Sequence, residues 1–143
     1  MEITTFVSKS PQQTEQFAEQ FAKSLPTGAI LALMGDLGAG KTTFTRGLAR
    51  GLGITDPVTS PTYTIVNEYR DQQDKLRFVH MDLYRLQHAD ELIDLGWDDY
   101  LDSDAVIAVE WSERAERLFR GAMQVSIETI DEQTRQIVIA GLV

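Results

Sequence analysis

The chain has 143 residues, of which 43% are hydrophobic, and a net charge of −9, which suits one compact domain spanning residues 1–143. It contains no cysteine, and this excludes disulfides, thiolate metal sites and cysteine nucleophiles. Because the N-terminal residues show no signal peptide and no apolar run reaches membrane-spanning length, we expect a cytoplasmic protein with no membrane contact.

The first half of the chain predicts strands alternating with helices. Residues 4–8 have the pattern of a short edge strand, and a helix is expected to begin at Ser10 and Pro11. Residues 29–34 form a continuous apolar run, which is typical of a strand buried on both faces. A second helix is expected after residue 40, because Phe44, Leu48 and Leu52 share one helical face before two glycines end it.

The second half predicts two hairpins around one more buried strand. Residues 63–70 and 75–83 are expected to pair across a polar turn, and residues 123–130 and 135–143 across another. Between the hairpins we expect a short helix at 90–95, a buried strand at 105–111 and a charged helical segment at 112–119. The mixture predicts an α/β fold with a mixed, partly parallel sheet covered by helices.

Residues 35–43 read G-D-L-G-A-G-K-T-T and contain a complete phosphate-binding loop, or Walker A motif. Its glycines allow several backbone N–H groups to face one phosphate chain, and Lys41 supplies a mobile positive charge. The Thr42 hydroxyl suits the coordination shell of a Mg²⁺ ion. An ordinary glycine-rich turn is the alternative, but the apolar strand before the loop and the helix after it favour a nucleotide site. The expected nucleotide-binding residues of the loop are Asp36, Gly38, Ala39, Gly40, Lys41, Thr42 and Thr43.

Two acidic residues, Asp82 and Glu110, stand at the ends of apolar strands, where the acidic partner of a phosphate-binding loop is usually found. The strand before Glu110 is the more uniformly apolar, so we expect it beside the strand that precedes the loop. This favours Glu110 as the metal partner or the base that orients water, and leaves the other role to Asp82. The alternatives are a strand-end cap for Asp82 and a salt bridge from Glu110 to Arg114.

A polar segment between the loop helix and these acids contains Ser60, Pro61 and Thr62. In phosphate-binding-loop NTPases a segment at this place responds to the outer phosphate, so we expect a switch here, with an ordinary Ser-Pro turn as the alternative. ATP is favoured over GTP, because the only asparagine, Asn67, is followed by Glu68 and an Asn-Lys-x-Asp element is absent.

Residues 90–104 contain seven acidic side chains and no lysine or arginine. Such a surface repels a phosphate backbone, so the chain is not expected to bind nucleic acid on its own. The two histidines, His80 and His88, have no partner at the spacing of a zinc site; we expect His80 to be packed or solvated in its strand and His88 at the surface.

Four sequence elements together resemble the TsaE (YjeE-like) ATPase family of tRNA threonylcarbamoyladenosine biosynthesis. They are the loop at 35–43, S-P-T-Y at 60–63, D-L-Y-R at 82–85 and V-E-W at 109–111. Their order and spacing agree over essentially the whole chain. The family usually has proline after V-E-W, whereas this chain has Ser112, a difference that alters the local turn but leaves Glu110 in place.

The resemblance implies a small three-layer fold like that of phosphate-binding-loop NTPases, with ATP and Mg²⁺ as cofactors and weak ATPase activity. It implies that Lys41 contacts phosphates, that Thr42 and Glu110 contact Mg²⁺, and that Asp82 is needed for turnover. It also places Thr14 near the adenine. The implied partners are transferase subunits of the TsaD and TsaB type, with tRNA reached only through them.

Two other functions remain compatible with the residues. A small-molecule kinase needs a cationic lid, for which the chain offers only Arg114, Arg117 and Arg120 on what looks like a solvated helix face. A nucleotide sensor that does not hydrolyse ATP needs only the loop.

Overall fold

A computed structural model describes residues 2–36, 40–59 and 65–141. One seven-stranded sheet runs through these residues. Its strands are β1 (Glu2–Ser8), β2 (Ile30–Met34), β3 (Val66–Arg70), β4 (Leu76–Asp82), β5 (Val106–Glu110), β6 (Met123–Thr129) and β7 (Arg135–Gly141). Their order across the sheet is β1-β7-β6-β2-β5-β4-β3.

The four central strands, β6, β2, β5 and β4, are parallel, and the outer pairs are antiparallel. Both predicted hairpins are confirmed, as β3–β4 and β6–β7. The strand β5 lies directly beside β2 with all five residues buried, as its apolar residues before Glu110 predict. The mixed sheet follows from this connectivity, because only the hairpins reverse the chain direction.

Five helical segments cover the sheet: α1 (Pro11–Lys23), α2 (Lys41–Gly51), α3 (Ala89–Asp94), α4 (Trp97–Asp102) and a 3-10 helix (Ser112–Leu118). The start of α1 is as predicted, and Ser10 caps it by accepting a hydrogen bond from the Gln13 N–H at 3.1 Å. The short α4 is absent from the sequence prediction. Its six residues bury only Trp97, so they leave no helical periodicity to detect.

Two hydrophobic cores lie on opposite faces of the sheet. On one face α1 and α2 pack over Leu31 and Leu33, and on the other α3, α4 and the 3-10 helix pack over Ala32 and Ile107. Alternate residues of β2 therefore serve opposite cores, as expected for a strand buried on both sides. The helix-sheet-helix layering confirms the three-layer α/β prediction.

The helices α1 and α2 approach each other closely at two glycines. A Cβ added at Gly47 would lie 2.6 Å from the Ala18 Cβ, and one at Gly51 would lie 2.7 Å from the Ala22 Cβ. Each would also run into a backbone carbonyl of α1. Glycine thus lets α2, which begins at Lys41, lie against α1 with almost no gap.

In the part of the chain that the structure describes, no helix is both long and apolar enough to cross a membrane.

Candidate functional site

The candidate site lies where parallel strands end and α2 begins. In the sheet register Glu110, the last residue of β5, is level with Leu33 of β2 on one side and with Asp82, the last residue of β4, on the other. Ligands of open parallel sheets bind at this carboxyl edge. The topology therefore brings both predicted acids to the sheet edge at which β2 ends, directly before the predicted phosphate-binding loop.

The N-terminus of α2 is prepared for an anion. Gly40 precedes the helix with a φ of 106°, a conformation that a residue with a Cβ rarely adopts, and among the described residues no side chain caps the helix. The first backbone N–H groups of a helix have no partner within the helix, and the helix dipole adds partial positive charge there. A phosphate is the natural acceptor for such a terminus.

Lys41 and Glu110 form an ion pair inside this edge. The Lys41 Nζ lies 3.4 Å from the Glu110 Oε1, and their side chains are only 16% and 10% exposed. The second carboxylate oxygen, Oε2, lies 2.9 Å from the Nε2 of His80. Glu110 therefore has one oxygen toward Lys41 and the other toward His80.

The environment of Glu110 keeps its carboxylate ionised. Burial raises the pKa of Glu110, but the hydrogen bond from His80, together with the charge and hydrogen bond of Lys41, outweighs burial and holds the pKa below its ordinary value. An ionised carboxylate only accepts hydrogen bonds. Glu110 is thus a hard oxygen donor facing the start of α2.

His80 is the residue at this site that sequence reasoning missed. Of the two expectations for His80, packed or solvated, the structure shows the packed one, with 1% of its surface exposed. Its ring stacks near that of Phe78. Its contact with Glu110 follows from the register, because His80 lies two residues before Asp82 on the same face of β4, diagonal to Glu110 across the sheet. The alternation of side chains along β4, which places His80 and Asp82 on one face, is the sequence signal that could have identified His80. A search for the residue spacing of a zinc site does not detect it.

Asp82 has a local backbone contact at the same edge. Its Oδ1 accepts a hydrogen bond from the Tyr84 N–H at 3.0 Å, which is the strand-end capping considered as the alternative for this residue. Its side chain remains half-exposed, so a cap and a role in turnover are compatible, and the role in turnover stays a prediction.

The predicted alternative pairing of Glu110 with Arg114 is not the one found. The Glu110 carboxylate pairs with Lys41 and His80, and the Arg114 guanidinium lies 5.7 Å from the centre of the Tyr84 ring. The reason is that the Glu110 side chain points toward α2, whereas Arg114 follows in the 3-10 helix on the surface.

Trp111 and Ser112 complete the turn out of β5. Trp111 has a φ of 62° and its ring meets the Tyr84 ring edge-on at 5.0 Å. Ser112 begins the 3-10 helix. With serine instead of the family's usual proline, Glu110 still ends β5 in register with Asp82.

The remaining predicted site residues fall into three groups. Thr42 and Thr43 are half-buried in the first turn of α2, and Asp36 is exposed after β2. Thr14 is 2% exposed and donates a hydrogen bond to the Ser8 Oγ at 2.7 Å, so its proximity to an adenine stays a prediction. Five predicted residues lie outside the described part of the chain: Gly38, Ala39, Ser60, Pro61 and Thr62.

The residue that precedes the expected switch is firmly held. The Thr59 carbonyl accepts hydrogen bonds from the Asn67 Nδ2 at 3.1 Å and from the Tyr69 hydroxyl at 3.3 Å, and the Thr59 N–H donates to that hydroxyl at 3.2 Å. Tyr69 is itself buried and stacks near Phe78. Thr59 is therefore held against β3 by the side chains of Asn67 and Tyr69.

The donor set fits a magnesium ion. Mg²⁺ prefers oxygen ligands and retains several waters, so one or two protein oxygens suffice. Glu110 supplies an ionised carboxylate, and Thr42 supplies a hydroxyl in the first turn of α2.

Comparisons with known proteins agree on one family. Residues 8–137 match the family model described as "TsaE: Threonylcarbamoyl adenosine biosynthesis protein TsaE". The chain is 44% identical over 129 residues to the tRNA threonylcarbamoyladenosine biosynthesis protein TsaE of Bacillus subtilis, covering 90% of this chain and 79% of the relative. It is 36% identical to the TsaE protein of Treponema pallidum, covering 94% and 98%.

A solved structure shows the same architecture. A crystal structure of YdiB from Bacillus subtilis superposes with a TM-score of 0.79 at 36% identity, over 96% of this chain and 84% of that one.

Proposed function

Since the chain belongs to the TsaE family of threonylcarbamoyl adenosine biosynthesis proteins, we propose that it acts in this tRNA modification as an ATPase. ATP and Mg²⁺ bind at the carboxyl edge of the sheet, around Lys41 and Glu110. Hydrolysis controls how this accessory protein engages the transferase subunits that carry out the modification.

The observation that carries the proposal is the largely buried pair of Lys41 and Glu110 at the start of α2. The lysine ammonium stands on a flexible side chain, so it can move from the carboxylate to bind phosphates. An ionised carboxylate at the same point is ready for a cation. The site thus offers an anion-binding and a cation-binding group side by side, as a nucleotide with its metal requires.

Each residue then has a distinct task. Lys41 and the first N–H groups of α2 bind the phosphate chain, while Thr42 and Glu110 hold Mg²⁺. The metal, when bound, neutralises charge that develops on the phosphate oxygens. Asp82, at the end of the neighbouring strand, orients the attacking water. Thr14 and the loop residues Asp36, Gly38, Ala39 and Thr43 complete the nucleotide contacts.

The switch is the segment containing Ser60, Pro61 and Thr62. Thr59, which precedes the segment, is hydrogen-bonded to Asn67 and Tyr69 and stays in place. Contacts with the outer phosphate therefore move the segment relative to Thr59. Loss of the outer phosphate releases those contacts and changes the surface that meets the partner. A difference of about 1.4 kcal/mol between the two states changes partner affinity tenfold.

The partners are transferase subunits of the TsaD and TsaB type, and these subunits hold the tRNA. The charge of the present chain supports this division. Its net charge is −9 and its 90–104 segment has seven acidic side chains with no lysine or arginine, so it repels a phosphate backbone. An acidic subunit is better suited to meet a protein than to bind tRNA directly.

The test combines turnover with the cellular modification. We expect Mg²⁺-dependent ATP hydrolysis, stimulated by the transferase subunits, which Lys41→Ala abolishes by removing phosphate binding. We expect Glu110→Ala to impair Mg²⁺-dependent hydrolysis more than nucleotide binding. Full turnover in Glu110→Ala alongside loss in Asp82→Ala would reverse the roles given to the two acids.

In cells, we expect depletion of the protein to remove threonylcarbamoyladenosine from bulk tRNA, measured by mass spectrometry, and wild type but not Lys41→Ala to restore it. Transfer of label from ATP to a metabolite would instead support a small-molecule kinase. Turnover that stays at background with the partners present would support a nucleotide sensor.

A further inference from the structure

His80 is a buried polar side chain whose hydrogen bonding is only half satisfied. Its Nε2 lies 2.9 Å from the Glu110 Oε2, and its Nδ1 is buried with no partner among the described residues. Buried polar atoms without partners are rare, and each one needs an explanation. The ring is 1% exposed and lies beside that of Phe78.

The geometry selects one tautomer of this histidine. An ionised Glu110 cannot donate, so the hydrogen between the two side chains belongs to His80 Nε2. A second hydrogen on Nδ1 would be a buried donor with no acceptor, which is costly. His80 therefore presents one N–H, and that N–H points at Glu110.

We infer that His80 is a positioning residue, which fixes one oxygen of Glu110 so that the other faces Lys41 and the start of α2. The inference rests on the proposed ATPase function. If Oε2 were not held by His80, the carboxylate would be free to turn and bring both oxygens onto the Lys41 ammonium. That closer pair would withdraw Lys41 from the phosphates and Glu110 from the metal. By holding Oε2, His80 thus leaves only Oε1 in contact with Lys41.

Two substitutions of nearly equal polarity separate positioning from packing. His80→Gln places an amide N–H near the position of Nε2, within reach of Glu110. His80→Asn is one methylene shorter and places its amide near the position of Nδ1. A residue that only fills the sheet would tolerate both about equally, and their melting temperatures report this packing effect. The exposed His88, replaced as His88→Gln, is the matched control for losing a histidine.

We expect His80→Asn to lower kcat for ATP roughly 10- to 100-fold and to raise the Mg²⁺ concentration for half-maximal turnover, as loss of a group that orients a metal ligand does. His80→Gln should recover most of this loss, and His88→Gln should match wild type. Equal kcat and equal Mg²⁺ dependence in the Gln and Asn variants, both folded, would overturn the inference.

Two measurements do not depend on turnover. Nitrogen NMR of the nucleotide-free protein should show His80 in the Nε2–H tautomer, and Glu110→Ala should abolish the slow exchange of that hydrogen. Calorimetry should show that Mg²⁺ strengthens ADP binding less in His80→Asn than in His80→Gln. An Nδ1–H tautomer in wild type would overturn the inference even if both variants failed to fold.

These results also separate the inference from the function on which it rests. If wild type binds ADP and Mg²⁺ but never hydrolyses ATP, the proposed ATPase function fails, while the tautomer and the Mg²⁺-linked affinity still decide whether His80 positions Glu110. If wild type hydrolyses ATP and His80→Asn does so equally well, the function stands and the positioning role fails.

Discussion

Because α1 and α2 approach each other closely, we predict an effect of Gly47→Ala on stability that is opposite to the effect expected from helix propensity. Gly47 is in the interior of α2, where replacing glycine by alanine ordinarily stabilises a helix by about 1 kcal/mol. Here the added Cβ would lie 2.6 Å from the Ala18 Cβ and closer still to the Glu15 backbone carbonyl. We expect Gly47→Ala to destabilise the protein.

The magnitude follows from how far the helices must separate. Carbon atoms pack best at about 3.5–4.0 Å, so α1 has to move by roughly 1 Å. Because the added Cβ overlaps with helix backbone atoms, rotating a side chain cannot remove the overlap. The free-energy cost of overpacking should therefore lie near the upper end of about 1–3 kcal/mol. After the gain in propensity, a net loss of about 2 kcal/mol remains, which lowers Tm by about 6–8 °C in a chain of this size.

The assay is urea and thermal unfolding followed by circular dichroism. Ala18→Gly in the Gly47→Ala background removes one of the two overlaps, so the double variant should be more stable than the sum of the single losses by about 1 kcal/mol. A Gly47→Ala protein with an unchanged or higher Tm would mean that the two helices have room to spare, and the argument from close approach would fail.

Three further predictions concern single contacts. Ser10→Ala removes the cap of α1 and should lower the free energy of unfolding by about 1 kcal/mol, measured by urea denaturation. Burial and the hydrogen bond and charge of Glu68 raise the pKa of Tyr100 from 10.0 to about 12, so stability should be complete below pH 10 and fall as pH rises toward 12; Tyr100→Phe should remove this fall. The pKa of Glu110 lies below its ordinary 4.5, so its contribution to stability should be complete above that pH and be lost as pH falls below it. The stability difference between wild type and Glu110→Gln should accordingly shrink in acid, and a constant difference would contradict the lowered pKa.

The elements that the sequence predicts well are those with a local cause. Ser10 and Pro11 start α1 because a hydroxyl and a ring of fixed φ favour a helix start in any context. The central place of β5 follows from its four consecutive apolar residues, a pattern that only a strand covered on both faces needs. The hairpins follow from polar turns between alternating strands.

The features that the sequence does not reveal depend on register and packing. That His80 meets Glu110 follows from which residues of β4 and β5 are level, and one step of register would part them. That Thr14 is buried against Ser8 depends on how α1 lies over β1. The Walker A pattern is visible in the sequence because its spacing is local, whereas the two acids predicted as its partners lie on other strands and needed an argument about the sheet.

The lengths of the two contacts at Glu110 indicate which one yields when a nucleotide enters. The hydrogen bond to His80 has an ordinary length of 2.9 Å, whereas the ion pair with Lys41 is longer, at 3.4 Å. At 3.4 Å and an effective dielectric constant of about 20, the attraction between the two charges is about 5 kcal/mol before desolvation is subtracted. Under the proposed function, a phosphate chain with several negative charges would compete for the same ammonium and draw Lys41 away without disturbing the oxygen that His80 holds. The pair would thus keep both charges in place until the nucleotide and its metal each took over one partner.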